Sequence, residues 1–412
     1  MKERIKKLLE YVKSLAKWII IAGAVGAVGG AVGSLFHLSI DYVTELREKF
    51  LWILYLLPVG GVIICLLYKL SKTKLDTNRV IESVRGEQDV PLIMAPLIFA
   101  STVITHFFGG SAGREGAALQ LGGSIGYNLG RLFRLKESDL HIIVMAGMSA
   151  VFAALFGTPI TAIFFALEVT SVGIMYYAGL LPCIISAILA SVIAKGFGLH
   201  SVKFDIVSQS LSLSNSWRVF VLTALCAVVG ILFCLAIEKS EKYMEKYIKN
   251  NFLRAFAGGA IIVLLTLVLG TRDYNGAGMD VITRAINGEA DAFAFALKIV
   301  FTAITISAGF KGGEIVPAFF VGSTFGCVVG GLLGLPPQLG AAIGFVALFC
   351  SVTNCPVASL LLALEVFGGA NLPLFVLCCG VSYVLSGYSG LYKSQRIMYS
   401  KLEAKYVNIN AK

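Results

Sequence analysis

The sequence predicts an all-α polytopic membrane protein, built as an inverted repeat with many short, broken and tilted helices. Three observations predict it. Hydrophobic residues make up 57% of the 412-residue chain and charged residues only 14%, with a mean hydropathy of +0.83. Several apolar runs, Trp18 to Phe36 and Val219 to Ile237 among them, reach the length needed to cross a bilayer. Two such regions are interrupted by glycine-rich breaks that carry ionisable residues, where an isolated charge is costly. The runs are continuous rather than alternating, which argues against a membrane β-barrel. Soluble-enzyme classes fall away on the same grounds.

Residues 1–15 come first. Ile5, Leu8, Leu9, Val12 and Leu15 recur at helical spacing among lysines, the pattern of an amphipathic helix on the cytoplasmic surface. Cleavage as a signal peptide is not expected. Residues 16–200 form a first membrane repeat and 201–389 a second. The segment 390–412 reads as a C-terminal helix carrying Tyr392, with no cytoplasmic regulatory domain after it.

The repeat is legible residue by residue. Gly113, Gly122, Ser124 and Gly126 match Gly313, Gly322, Thr324 and Gly326, each 200 positions on. Gly147, Phe152, Pro159 and Glu168 match Gly344, Phe349, Pro356 and Glu365 at an offset of 197. The segments Ala166–Val169 and Ala363–Val366 are identical. An odd number of passages in the first half inverts the second. Inverted repeats place a site near the midplane, where broken helices aim their N-terminal ends at the substrate. Those ends carry free amides and positive dipole character, so an anion is expected.

The net charge of +10 is unevenly placed. Lys2, Arg4, Lys6, Lys7, Lys13 and Lys17 open the chain; Lys239, Lys242, Lys246, Lys249 and Arg254 share a central loop; Lys393, Arg396, Lys401 and Lys405 fall near the end. The positive-inside rule puts both termini and that loop in the cytoplasm of a plasma (inner) membrane protein in contact with lipid. Orientation explains these charges better than nucleic-acid binding, and no nucleic-acid partner is expected. The nine cysteines and four histidines form no metal-ligand pattern. Neither metal nor cofactor is expected, and the cysteines read as reduced packing residues.

Gly113-Arg114-Glu115-Gly116-Ala117 resembles the Gly-Lys/Arg-Glu-Gly-Pro motif of the CLC family of chloride channels and proton-coupled anion antiporters. Gly313-Glu314-Ile315-Val316-Pro317 is similar to that family's Gly-x-Phe-x-Pro motif, and Tyr392 matches its late tyrosine. The family's Gly-Ser-Gly-Ile-Pro motif is absent; Lys74-Leu75-Asp76-Thr77-Asn78-Arg79-Val80 stands in that region. The glycine-rich contexts look most like the fluoride-exporting branch, although that branch often carries Met in the first motif and Thr where Val316 stands.

The resemblance implies roles for particular residues. Glu115 would be a gating carboxylate that occupies an anion site when ionised and swings away when protonated. Gly113, Arg114, Gly116, Ile315, Val316, Tyr392 and Thr77 would surround the anion, Ile315 and Val316 through backbone amides and Arg114 more as an orienting charge. Thr77 offers either a hydroxyl or, with Asp76, a helix cap. The inner proton-transfer glutamate of the chloride antiporters is replaced here by Val169. Glu314 is therefore expected to support proton coupling or tune the inner anion site, unless Lys311 merely neutralises it. Phe107, Phe108 and Phe319 could turn ring edges to an anion path, or pack in the core. His106 reads as packed or hydrogen-bonded. Glu168 and Glu365 are expected to satisfy free amides beside Pro159 or Pro356.

Together these readings imply a homodimeric, proton-coupled halide antiporter exporting fluoride in exchange for protons. Chloride/proton exchange and a passive anion channel are the alternatives. No nucleophile–base pair accompanies the glycine breaks, so an intramembrane enzyme is not expected.

Overall fold

The computed structural model describes residues 2–69, 71 and 75–412; Lys74 of the first-motif region lies outside them. Sixteen α-helices are present among the described residues. The first half contains α1 (Lys2–Lys49), α2 (Leu57–Lys69), α3 (Thr77–Val84), α4 (Met94–Phe108), α5 (Glu115–Leu132), α6 (Glu137–Phe156), α7 (Pro159–Glu168), the short strand β1 (Ser171–Val172) and α8 (Leu180–Gly196). The second half contains α9 (Leu213–Tyr247), α10 (Asn251–Leu269), α11 (Met279–Ile286), α12 (Ala294–Ser307), α13 (Ile315–Leu332), α14 (Pro337–Thr353), α15 (Pro356–Phe367) and α16 (Leu372–Leu385). Strands β2 (Arg396–Tyr399) and β3 (Tyr406–Asn410) follow. Among the described residues, seven helical segments are long and apolar enough to cross a membrane.

Local chemistry sets the boundaries. Asp76, Ser212 and Asn250 cap α3, α9 and α10 by accepting from amides of the first turn. Pro159 and Pro356 open α7 and α15, where a missing N–H costs nothing. Asn354 ends α14 in the left-handed region at φ 57, a conformation asparagine tolerates better than most residues.

The separate surface helix expected for residues 1–15 is instead the opening of α1. No proline or glycine interrupts the chain between Lys2 and Ala22, so the helix runs on without a break. Further along, α1 carries two stripes of small residues. Gly26 and Gly30 lie against Ser186 and Ala190 of α8, and Gly29 and Gly33 lie against Ala150 and Ala154 of α6. Close backbone approach of this kind is how helices associate where lipid supplies no hydrophobic drive.

Helices α3 to α8 recur as α11 to α16, with opposite orientation across the membrane. Gly130, near the end of α5, packs on Leu140 and Ile143, at the start of α6 where Asp139 pairs with Lys17. The end of α13 reaches the other face, where Arg218 donates to the Gly334 carbonyl at 2.8 Å. Each of these helices packs on its successor through glycine: a Cβ on Gly147 would lie 2.1 Å from the Gly122 carbonyl oxygen, and one on Gly344 would lie 2.0 Å from that of Gly322.

Glu168 and Glu365 tie the halves together reciprocally. Glu168, at the end of α7, accepts from the amides of Val357 and Ala358 at the start of α15, at 3.2 and 2.9 Å. Glu365, near the end of α15, accepts from the amides of Ile160 and Thr161 at the start of α7, at 3.0 and 2.7 Å. Each carboxylate satisfies the orphan donors of the other half's helix, beside the prolines that the sequence singled out.

The segment 390–412 is not a helix. Tyr392 lies in the turn after α16, and β2 pairs with β1 in parallel and with β3 antiparallel. Gly387 and Gly390 stop helical continuation, and the alternation around Ile397 and Ile409 has the two-residue period of a ribbon. The ribbon ties both halves to one face, and Arg396 meets Glu87 of the loop after α3 at 2.9 Å. Arg85 also bonds Glu87 and holds its carboxyl below the usual carboxylate range.

Removing one reciprocal cap should weaken the union of the halves. Glu365→Ala is expected to lower the unfolding free energy in mixed micelles by about 1–2 kcal/mol, the usual cost of a lost helix cap, and Glu168→Ala by a similar amount. A stability equal to wild type in both variants would remove the caps from the fold's support.

Candidate functional site

Two helix starts meet at the centre of the molecule. Gly109 closes α4 in the left-handed region at φ 87, and a short extended stretch leads to α5. The second half repeats the arrangement, with Gly309 at φ 101 before α13. Between the two stretches, the Gly113 amide donates to the Gly313 carbonyl at 2.6 Å and the Gly313 amide donates back at 2.7 Å. This isolated antiparallel bridge joins residues at equivalent positions of the repeat. Neither glycine admits a side chain: a Cβ on Gly113 would stand 2.6 Å from Glu115 Oε2, and one on Gly313 would stand 2.4 Å from the Gly116 amide nitrogen.

Threonines brace the bridge in the same crossed manner. The Ser111 amide donates to Thr305 Oγ1 at 3.1 Å, and the Lys311 amide donates to Thr105 Oγ1 at 3.3 Å. His106 is buried with Nε2 3.3 Å from the Gly113 carbonyl, so it is hydrogen-bonded as its sequence context implied.

Glu115 is 1% exposed and turns its carboxylate onto the start of its own helix, where Oε2 accepts from the Arg114 amide at 2.9 Å. Free amides at a helix start favour negative charge, so a carboxylate seated there competes with any small anion for the same donors. Arg114 does not belong to Glu115 alone. Its NH1 donates to Asp41 of α1 at 3.0 Å, while Nε stands 3.8 Å from Glu115 Oε1.

A cavity lies on either side of the bridge. One, of about 540 Å³, is lined by Asp41, Arg47, His106, Arg114 and Val316. The other, of about 300 Å³, opens near the face that carries the ribbon and is lined by Thr77, Gln120, Lys311, Glu314 and Tyr392. Glu314 and Val316, two residues apart at the start of α13, thus border opposite cavities. Gly116 packs directly on the Glu314 carboxylate, with a Cβ there only 3.2 Å from Oε2. Lys311 sets its ammonium over the Tyr68 ring at 4.7 Å, and no described ion pair joins it to Glu314.

Tyr392 is 3% exposed, and its hydroxyl is buried with no hydrogen-bond partner among the described residues. A phenol left so is a donor awaiting an acceptor. Its turn is held firmly: the Ser394 amide donates to Asn78 Oδ1 at 3.0 Å, and Gln395 Nε2 donates to the Thr353 carbonyl at 2.8 Å. Thr77 begins α3, and the capping role falls to Asp76. The Thr77 hydroxyl accepts from Gln120 Nε2 at 3.0 Å, and its proton donates to no acceptor among the described residues.

The structure therefore gathers Gly113, Arg114, Glu115, Gly116, Glu314, Ile315 and Val316 at the bridge, and Thr77 with Tyr392 at the second cavity. The aromatic residues do not join them. Phe107 and Phe108 meet edge to face and Phe108 packs against Gly60, while Phe319 stacks on Phe345 with centroids 3.9 Å apart. None of the three lines either cavity. Sequence reasoning missed Gln120, a polar residue in an otherwise apolar run, and the threonine pair, which extending the 200-residue offset would have found. It also missed His37 and Asp41, which no sequence signal links to Arg114.

Comparison with known proteins gives a consistent picture. The family model described as voltage gated chloride channel matches residues 60–387. A chloride/fluoride channel protein of Pseudomonas syringae pv. tomato is 37% identical over 408 residues, covering 95% of this chain and 89% of that protein. An H(+)/Cl(-) exchange transporter, ClcA of Vibrio parahaemolyticus, is 27% identical, covering 89% and 86%. Among solved structures, a CLC-type fluoride/proton antiporter superposes with a TM-score of 0.89 at 34% identity, covering 92% of this chain and 98% of the other. A slow cyanobacterial Cl-/H+ antiporter shares the fold at a TM-score of 0.78 and 19% identity.

The bridge makes a direct prediction. Gly313→Ala would force the two stretches apart and should cost about 1–3 kcal/mol of stability, the range for overpacking a filled interior. The check is the detergent unfolding midpoint, with the exposed Gly369→Ala as control; equal midpoints would show that the bridge yields without cost.

Proposed function

The chain belongs to the CLC family of voltage gated chloride channels, and we propose that it is a proton-coupled halide antiporter that exports fluoride in exchange for protons. The observation that carries this reading is the Glu115 carboxylate, seated on the amides at the start of α5 between two cavities. Ionised, it fills the place an anion would take. Protonated, it loses its attraction for those amides, swings away and leaves them to the anion. Proton and anion thus use one set of donors in turn, which is the physical basis of exchange.

The second cavity supplies the rest of the cycle. Tyr392 offers its unpaired hydroxyl and Thr77 its proton to an anion arriving there. Glu314, on the same cavity and packed on Gly116, hands protons between that cavity and the centre, in place of the glutamate whose position Val169 fills. Fluoride is favoured by the relative at 37% identity and the antiporter structure at 34% identity, whose descriptions both name it. Lysines at both termini and in the last turns of α9 support a cytoplasmic position for the ribbon face of a protein in the inner membrane. Each subunit of a homodimer then holds its own pathway.

Proteoliposomes loaded with both halides test the reading. Fluoride efflux with proton uptake and little chloride movement is expected; equal chloride efflux would move the protein to chloride exchange, and efflux without protons would make it a channel. Glu115→Gln should cut proton movement by at least about tenfold while anion flux persists. Glu314→Gln should likewise separate the two fluxes, and normal coupling in that variant would defeat its assigned role.

A further inference from the structure

The cavity of about 540 Å³ borders a chain of polar groups that leads to Glu115 through His37, Asp41 and the Arg114 guanidinium, which the exchange cycle above does not use. His37 Nε2 lies 3.1 Å from Asp41 Oδ2, one turn along α1. Asp41 Oδ1 accepts from Arg114 NH1 at 3.0 Å, and Arg114 Nε stands 3.8 Å from Glu115 Oε1. Exposure falls along the same line, from 49% for the Asp41 side chain through 16% for Arg114 to 2% for Glu115. One guanidinium is therefore divided between an accessible carboxylate and a buried one.

We propose that Asp41 and His37 are positioning residues for Glu115, setting through Arg114 the external acidity at which Glu115 takes its proton. The inference rests on the exchange reading. A cation stabilises an ionised carboxylate more strongly as it comes closer, and more strongly still away from water. Asp41 claims the guanidinium directly and keeps it at the longer distance from Glu115. With Asp41 neutral, Arg114 has Glu115 as its remaining carboxylate. Glu115 then keeps its charge to lower pH, and more acid is needed to protonate it.

His37 adds a brake. Once protonated, His37 draws Asp41 toward itself and slackens Asp41's pull on Arg114. Arg114 moves its weight to Glu115, and proton uptake levels off as the medium acidifies. The neighbouring charges are engaged elsewhere. Arg47 donates to the His106 carbonyl and pairs with Glu48, and Arg284 holds Asp273. Arg272 donates to the Leu51 carbonyl. Glu45 and Asp280 line the cavity with no described ion pair to Arg114, and His106 faces the Gly113 carbonyl.

The test is fluoride-driven proton uptake by the full-length protein in liposomes, measured against external pH for wild type, Asp41→Asn, Asp41→Glu and His37→Gln. Asp41→Asn should shift the midpoint of the profile acid by about one pH unit, and Asp41→Glu should restore it. His37→Gln should keep the wild-type rate near neutrality and exceed it at the acid end. An Asp41→Asn midpoint equal to wild type overturns the proposal. Should that variant fail to fold, a His37→Gln profile that follows wild type throughout overturns it equally. Wild type that moves fluoride without protons refutes the exchange reading instead, and the proposal with it.

Discussion

The pair of hydrogen bonds between Gly113 and Gly313 is the constraint on which the rest depends. Buried backbone that is neither helix nor sheet must still satisfy its polar groups, and lipid offers no partners. Here each broken stretch satisfies the other. The requirement of contact at 2.6 and 2.7 Å fixes glycine at both positions and sets α5 and α13 start to start. From that shared start the two helices run to opposite faces, α5 ending beside the Lys17–Asp139 pair and α13 where Arg218 meets the Gly334 carbonyl. A cavity on each side, with the amides of both helix starts between them, is the geometric result.

The same reciprocity recurs outward from the bridge. Thr105 and Thr305 brace the stretches leading into it, and Glu168 and Glu365 close α7 against α15. In each case a side chain from one half satisfies backbone donors of the other. These bonds act between segments about half a chain apart, so neither half is fully satisfied alone. The interior is polar where function needs donors, and the donors are held by symmetry-related partners rather than by bulk packing.

Much of this was legible in the sequence, for definable reasons. Long apolar runs announced the membrane, and the offsets of 200 and 197 announced the repeat. Glycine, glutamate and proline at matched positions marked the breaks and the caps because a carboxylate beside a helix-breaking residue is costly within a bilayer unless the fold uses it. The crossing of the caps was hidden, since a repeat cannot say whether a carboxylate serves its own half or the other. The ribbon was hidden too: Ile397 and Ile409 alternate over spans too short to outweigh the expectation of one more helix. The link from Asp41 to Arg114 spans 73 positions between unrelated segments and leaves no pattern at all.

The crossed caps also bear on how the chain is made. Glu168 is synthesised well before the amides it will bind, with 189 positions separating it from Val357. At about 5–20 residues per second the delay is on the order of 10–40 s. During that interval a nascent first half carries the Glu168 carboxylate and the uncapped start of α7, with its Ile160 and Thr161 amides, without their protein partners. It must wait in a wet or chaperoned setting at the insertion machinery rather than settle into lipid. Release of the finished half is therefore tied to arrival of the other, and a truncated chain would expose the unpaired groups by which a membrane quality-control protease could recognise it.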